Sequence, residues 1–174
     1  QEHLSPLKST RNIRLVNKFS VLDNYDALYD QIKSICDSND FKSFHGFLVH
    51  DPQNIAQANK KKLTTFFDRL KSNQLVQKIG VSAYDLNELK SFDAILPADL
   101  VQIPLNPLNQ AFLQKDAQEY LTKSGIEVHA RSLFLQGILL ADTLPRHLEG
   151  LKEKWEKFNA LSANFPSKLE ALLS

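Results

Sequence analysis

Cysteine, net charge and long apolar runs are all scarce in this sequence, and each shortage excludes something. Cys36 is the only cysteine among 174 residues, so the chain cannot form an internal disulfide, and we expect a reducing compartment, the cytoplasm. The 21 basic and 20 acidic residues leave a net charge of +1, which gives no bulk attraction to nucleic acid. Apolar runs such as LFLQGILLA are much shorter than the roughly 20 residues that cross a bilayer, so no membrane partner is expected.

Methionine is absent and glycine is rare. The lack of methionine even at the first position indicates a processed, trimmed or partial chain. The five glycines form no GxGxxG arrangement, so the fingerprint of a doubly wound dinucleotide-binding fold is missing. A P-loop and a GxSxG nucleophile elbow are missing too. His3, His45, His129 and His147 have no metal-ligand spacing with one another or with carboxylates, so the sequence predicts no metal site.

Strand-like and helix-like segments alternate along the chain. The strand-like segments are short apolar runs, and the helix-like segments carry apolar residues at helical spacing. Alternating units of this size are typical of parallel strands joined by right-handed helical crossovers. The predicted strands cover residues 12–19, 44–50, 78–83, 98–106 and 126–132, and the helices between them cover residues 24–38, 59–74, 85–92 and 110–125.

Two folds combine β and α units in this way: an open doubly wound sheet and a closed (β/α)8 TIM barrel. The missing glycine fingerprint favours the barrel. Such barrels typically need about 250 residues, but no sixth strand pattern precedes the helical segments at 145–161 and 165–174. We therefore predict one α/β domain over residues 1–174, either a smaller fold or an incomplete barrel of about five β/α units.

A polar side chain stands at the end of each predicted strand. In order these are Lys18, His50, Ser82, Gln102, and Arg131 with Ser132. Each has an ordinary explanation when taken alone: a solubilising lysine, for example, or a hydrogen-bonded loop histidine. In a TIM barrel, however, the chemistry occurs at the carboxyl ends of the strands. Their shared position therefore predicts a functional site at that edge of the sheet.

Five short motifs resemble those of the aldo-keto reductases, in the same order. They are VNK at 16–18, GFLVHDP at 46–52, KIGVSAYD at 78–85, DLVQIPLN at 99–106 and IEVHARSLFLQGILL at 126–140. Together they look like strands three to seven of that family's barrel, over roughly residues 10–174. The resemblance implies reduction of an aldehyde or ketone with NADPH, or alternatively NADH, bound across the barrel mouth. The loop RSLFLQG resembles that of members in bacterial surface-sugar pathways, which favours a sugar-derived carbonyl substrate.

The resemblance implies a catalytic role for two strand-end residues. Lys18 matches the family's strand-three lysine, whose ammonium lowers the pKa of the tyrosine that protonates the carbonyl oxygen. A phenol with an ordinary pKa of about 10 needs such a cation to exchange protons near neutral pH. His50 matches the strand-four histidine that orients the substrate carbonyl.

The resemblance also implies a cofactor site on the three remaining strand ends. Ser82 and Gln102 match the residues that hold the nicotinamide amide, although Ala83 replaces the usual asparagine after the serine. Arg131 stands where many members have a tyrosine that stacks on the nicotinamide, and a guanidinium plane can stack on an aromatic ring too. Ser132 and Phe134 fall in the loop that covers the cofactor's pyrophosphate.

Two parts of the family's site have no counterpart in this sequence. The tyrosine and its partner aspartate follow strand two, upstream of Gln1, and strand eight would lie beyond Ser174. An alternative is therefore a non-catalytic, truncated barrel that binds nucleotide or a partner, with self-association through its open strand edges. A third alternative is a different (β/α) enzyme in which Lys18 acts as a Schiff-base amine.

Overall fold

The computed structural model describes residues 13–38, 42–57 and 59–173, and these form a five-stranded parallel sheet with helices. Strands adjacent in the sheet are always consecutive in the chain. A doubly wound sheet reverses its strand order at a switch point, and the described sheet has no reversal. The predicted α/β fold with parallel strands is confirmed. The strands are β1 (Val16–Phe19), β2 (Phe44–Val49), β3 (Val76–Ser82), β4 (Leu100–Pro104) and β5 (Glu127–Arg131).

β1 and β4 begin later than predicted because other groups interrupt the regular strand pairing before them, and position 12 of the first predicted strand lies outside the described residues. β2 and β5 differ from their predicted ranges by at most one residue at either end. At the amino end of β4, the Asp99 carboxylate accepts the backbone N–H of Ile79 at 2.9 Å. Before β1, the carbonyl of Leu15 accepts both His45 N–H at 2.8 Å and Gly46 N–H at 3.2 Å. Two donors on one strand facing one acceptor on its neighbour form a bulge, which ends the regular ladder.

Within the described residues, six α-helices and several 3-10 turns connect and follow the strands. The predicted helix at 145–161 is divided, because the segment after Pro145 is a 3-10 turn and the α-helix begins only at Lys152. The helices are α1 (Asp26–Ser38), α2 (Lys60–Ser72), α3 (Leu86–Asp93), α4 (Lys115–Ser124), α5 (Lys152–Ser162) and α6 (Lys168–Leu173); the 3-10 turns are Pro52–Gln57, Ala111–Leu113, Leu135–Leu140 and Arg146–Leu151.

Local sequence explains where several helices begin and end. The Asn59 side chain accepts the N–H of Lys62 at the start of α2. Asp85 accepts the N–H groups of Asn87 and Glu88 at the start of α3. Gly125 follows α4 with φ of 65°, a left-handed conformation that suits glycine after a helix.

Removing the Asp85 carboxylate is expected to destabilise the protein modestly. An N-cap side chain satisfies N–H groups that have no helical partner, and its loss costs about 1 kcal/mol. We expect Asp85→Ala to lower the free energy of unfolding by that amount in urea denaturation. Asp85→Asn retains the acceptor oxygen and serves as the control, with a loss well below that of the alanine variant. Equal losses in the two variants would contradict the capping role.

The main core lies between the sheet and its helices and is rich in aromatic rings. Phe19 and Phe47 on adjacent strands stack at 5.1 Å, and Tyr25 stacks on Phe66 of α2 at 4.7 Å. Cys36 is also buried there, and desolvation raises the pKa of its thiol. These contacts fix the backbone of β1 and β2 behind the strand ends.

A second apolar cluster holds the C-terminal helices against the loops that follow β4 and β5. Its buried members are Leu108, Leu139 and Phe158, and Trp155 packs against them. Trp155 thus anchors α5 to this cluster. The cluster matters for function because Leu139 ends the loop that was predicted to cover a cofactor.

Candidate functional site

The six strand-end residues predicted from the sequence lie along one edge of the sheet. Parallel strands end on the same side, so their final residues are neighbours. The register pairs Ser82 of β3 with Gln102 of β4, and Arg131 is the last residue of β5. Phe19 pairs with Val49, which places His50 just beyond the end of β1.

Lys18 and Gln102 contact each other directly across this edge. The Lys18 ammonium donates to the Gln102 amide oxygen, with 3.1 Å between Nζ and Oε1. The two residues are 84 positions apart in the chain. The fold therefore joins a residue predicted to be catalytic with one predicted to bind cofactor. The contact links β1 to β4, two strands that are not neighbours in the sheet.

His50 presents an exposed imidazole from a fixed backbone. Its backbone N–H donates to the carbonyl of Phe19 at 2.8 Å. The adjacent Asp51 carboxylate accepts the N–H of Val21 at 3.1 Å and the side-chain amide of Asn54 at 2.7 Å. Asp51 therefore ties the loops after β1 and β2 together, a positioning role that the sequence did not reveal.

Ser82 is a buried hydroxyl that lacks a partner. Its side chain is fully buried, and among the described residues its Oγ forms no hydrogen bond. An unpaired buried hydroxyl costs about 1–3 kcal/mol. A ligand group that reaches this oxygen would recover that cost.

Arg131 was predicted to stack on the nicotinamide ring of the cofactor. In the structure its guanidinium contacts an aromatic ring of the protein itself, that of Tyr84. Its guanidinium carbon lies 4.3 Å from the centre of the Tyr84 ring. Its Nε and Nη2 are buried and without hydrogen-bond partners in the described chain. These two nitrogens can donate to a phosphate or carbonyl oxygen. Sequence reasoning did not connect Tyr84 with Arg131, although Tyr84 directly follows the VSA that ends β3.

The loop after β5 holds several residues in strained conformations. Ser132, Leu135 and Gln136 have φ of 58°, 45° and 55°, a region that non-glycine residues rarely adopt. The buried Asn106 donates from its side-chain amide to the Ser132 carbonyl at 3.1 Å. Phe134 is 36% exposed at the tip. Strain of this kind collects at ligand-binding loops.

None of the four tyrosines is placed to donate a proton beside Lys18. Tyr25 and Tyr29 are buried in the main core, and Tyr84 lies under Arg131. The Tyr120 hydroxyl donates to Asp93 at 2.5 Å, and this bond raises the pKa of Tyr120 to about 12.

A family model of the aldo/keto reductase family matches residues 7–173. The chain belongs to this family. The match confirms the family resemblance inferred from the motifs. A comparison with curated protein sequences found no significant match.

Solved structures of aldo-keto reductases share the fold. The holo form of an enzyme from Bacillus halodurans has a TM-score of 0.71 at 15% identity, covering 97% of this chain and 60% of its own. An aldo/keto reductase from Brucella melitensis has a TM-score of 0.63 at 19% identity, covering 99% of this chain and 62% of its own. A mutant of the protein Gox0644 in complex with NADPH has a TM-score of 0.60 at 22% identity, covering 86% of this chain and 54% of its own.

This aldo/keto reductase chain therefore spans about 60% of the length of the solved relatives, and its fold is part of their barrel. The matched region includes all five strands and each predicted site residue. No helix in the described ranges has both the length and the apolarity needed to cross a membrane.

Proposed function

We propose that the chain forms the central part of a carbonyl reductase that uses NADPH, with NADH as the alternative cofactor. The observation that carries the proposal is the set of three buried, unpartnered polar atoms at the carboxyl edge: Ser82 Oγ, Arg131 Nε and Arg131 Nη2. Unsatisfied buried polar groups are rare in folded proteins. Their presence beside Gln102 supports a polar ligand at this edge.

The polar groups at this edge match the parts of a nicotinamide dinucleotide. Ser82 and Gln102 would hold the carboxamide, since a hydroxyl and an amide can each donate and accept hydrogen bonds. Arg131, Ser132 and Phe134 would hold the diphosphate and cover it. When bound, the cofactor supplies a hydride for a carbonyl carbon.

The side chains nearer β1 and β2 would position the carbonyl substrate. His50 would donate a hydrogen bond to the carbonyl oxygen and so fix its direction. Lys18 would provide positive potential for the negative charge that develops on that oxygen. The substrate we propose is a small aldehyde or ketone, with a sugar-derived carbonyl favoured by the loop after β5. A cytoplasmic location is part of the same proposal, because Cys36 is the only cysteine.

Cofactor binding by the 174-residue chain tests this proposal without requiring turnover. We expect saturable NADPH binding in the micromolar range. Quenching of Trp155 fluorescence and the nicotinamide emission are the two signals that report it. Arg131→Leu is expected to weaken binding about tenfold or more, because it removes charge-assisted hydrogen bonds worth about 1.5–3 kcal/mol each. Arg146→Leu, at an exposed arginine in the last 3-10 turn, is the control and should bind normally. Equal affinity in the Arg131 and Arg146 variants would contradict the site.

A second candidate function is a non-catalytic module that pairs with another chain. It is favoured by the placement of all four tyrosines away from Lys18 and by the outer strands β1 and β5, each paired on one side within the described sheet. The sheet edge at β5 exposes Val128. Sedimentation of the chain distinguishes the two functions: an obligate dimer that does not bind NADPH up to millimolar concentration supports the module.

A further inference from the structure

A second polar cluster lies toward the amino-terminal ends of the strands, away from the proposed cofactor site. At its centre is Glu127, the first residue of β5. One carboxylate oxygen, Oε1, lies 2.9 Å from His45 Nε2 and 2.7 Å from His129 Nε2. The other oxygen, Oε2, accepts a hydrogen bond from the Lys78 ammonium. Three strands, β2, β3 and β5, thus contribute to one small cluster.

The bulge at Leu15 explains how His45 reaches this cluster. Because His45 and Gly46 both donate to the Leu15 carbonyl, the regular alternation of side chains along β2 is interrupted there. A bulge can redirect a side chain in this way. The His45 imidazole then lies nearly parallel to that of His129, with 6.2 Å between ring centres. His129 pairs in register with Gln102, so the cluster is on the sheet face that carries the Lys18–Gln102 contact.

Hydrogen bonds around His45 leave its Nε2 suited to bind a cation. Gln77 donates from its amide to Ser43 Oγ at 3.0 Å, which turns the Gln77 oxygen toward His45 Nδ1 at 3.4 Å. In the neutral tautomer with the proton on Nδ1, the Nε2 lone pair points at Glu127 Oε1, and a cation between these two atoms would be bound by both. Orientation of a metal-binding histidine through its other nitrogen is common in metalloproteins.

We propose that His45, Glu127 and His129 bind a divalent transition metal, best matched by Zn²⁺, through His45 Nε2, His129 Nε2 and Glu127 Oε1. The three ligand atoms lie within 4.8 Å of one another. Two histidines and one carboxylate are a known zinc donor set that leaves a fourth position open. Ligand atoms in a tetrahedral zinc site are about 3.4 Å apart, so the N–O distances of 2.9 Å and 2.7 Å would open by about 0.5 Å and about 0.7 Å.

The Lys78 ammonium orients the Glu127 carboxylate but lowers the affinity of the cluster for a metal ion. Lys78 keeps Glu127 Oε2 engaged and Oε1 available, but its positive charge repels a dication. Glu127 is 26% exposed and His129 34% exposed, so an ion can reach the cluster from solvent.

Zinc titration of the chelator-treated 174-residue chain tests the proposal. We expect one Zn²⁺ per chain by calorimetry, with a micromolar or lower Kd at neutral pH. His129→Ala and Glu127→Gln are each expected to weaken binding at least about 100-fold, because each removes a direct ligand. His147→Ala, at an exposed histidine in the last 3-10 turn, is the matched control and should bind like the unchanged chain. Circular dichroism confirms that each variant is folded.

A second measurement separates direct coordination from loose ion pairing. Co²⁺ bound by two imidazoles and a carboxylate should give intense visible d–d absorption, which disappears in His129→Ala. His45 is buried and His45→Ala could unfold the chain, so the more exposed His129 is used for the decisive variant. Stoichiometric binding that survives His129→Ala, or a Co²⁺ spectrum identical to that of the free ion, would overturn the proposal. In that case Glu127 is held only by hydrogen bonds to the two imidazoles and Lys78.

Discussion

His50→Ala should reduce carbonyl reduction by the complete enzyme at least about 100-fold, because a positioned acid–base or hydrogen-bonding side chain contributes about 10²–10⁴-fold to rate. The imidazole is exposed at the carboxyl edge, while its backbone is fixed by the Phe19 carbonyl and by the neighbouring Asp51. Truncating the side chain therefore removes an oriented donor and leaves the strand in place.

The readout is NADPH consumption with an aromatic aldehyde and a sugar-derived aldehyde as substrates. The fall should occur in kcat/KM, while NADPH affinity stays unchanged, because the proposed cofactor groups lie on β3 to β5. His50→Gln retains a donor and is expected to recover part of the rate. His147→Ala should match the unchanged enzyme. Undiminished turnover in His50→Ala would exclude the substrate-orienting role.

Gly80→Ala is expected to lower the free energy of unfolding by about 3 kcal/mol, at the upper end of the usual range for overpacking. A Cβ at Gly80 would lie 1.6 Å from the backbone oxygen of Leu100 on the next strand. That neighbour is backbone, not the end of a flexible side chain, so β3 and β4 would have to separate. Leu48 and Leu100 on either side are fully buried and leave no space for the shift.

Gly150→Ala provides a matched control for this substitution. A Cβ at Gly150 meets no atom within 4 Å, so its effect should stay within about 0.5 kcal/mol. Urea denaturation of the two variants measures the difference directly. A Gly80→Ala variant as stable as Gly150→Ala would contradict the close approach of β3 and β4.

Elements with a strong local pattern were predictable from the sequence, and contacts between distant residues were not. The apolar run of β2 was predicted within one residue, and Gly125 marked the end of α4. The ends of β1 and β4 were misjudged because Leu15 and Asp99 pair across strands, which no local pattern reveals.

The candidate site was predicted as a row of strand ends, because parallel strands must end on one side. Which of these side chains contact one another depends on the register of the strands and on the length and direction of each side chain. The Lys18–Gln102 bond and the packing of Arg131 on Tyr84 therefore became visible only in the structure. His45 showed no metal-ligand spacing in the sequence, and the bulge directs its side chain to Glu127. The roles of Lys18, His50, Ser82, Gln102, Arg131, Ser132 and Phe134 stay predictions until the variants are measured.

The chain-order pairing of the strands has a consequence for how the protein folds. Every strand docks on the strand made just before it, so each pairing closes a single β–α–β loop and no strand waits for a distant partner. Loop-closure entropy rises with the length of chain between partners, and proteins rich in near-neighbour contacts fold faster. The described strands can therefore add to the sheet in chain order during synthesis, with each new helix covering the strand pair beneath it.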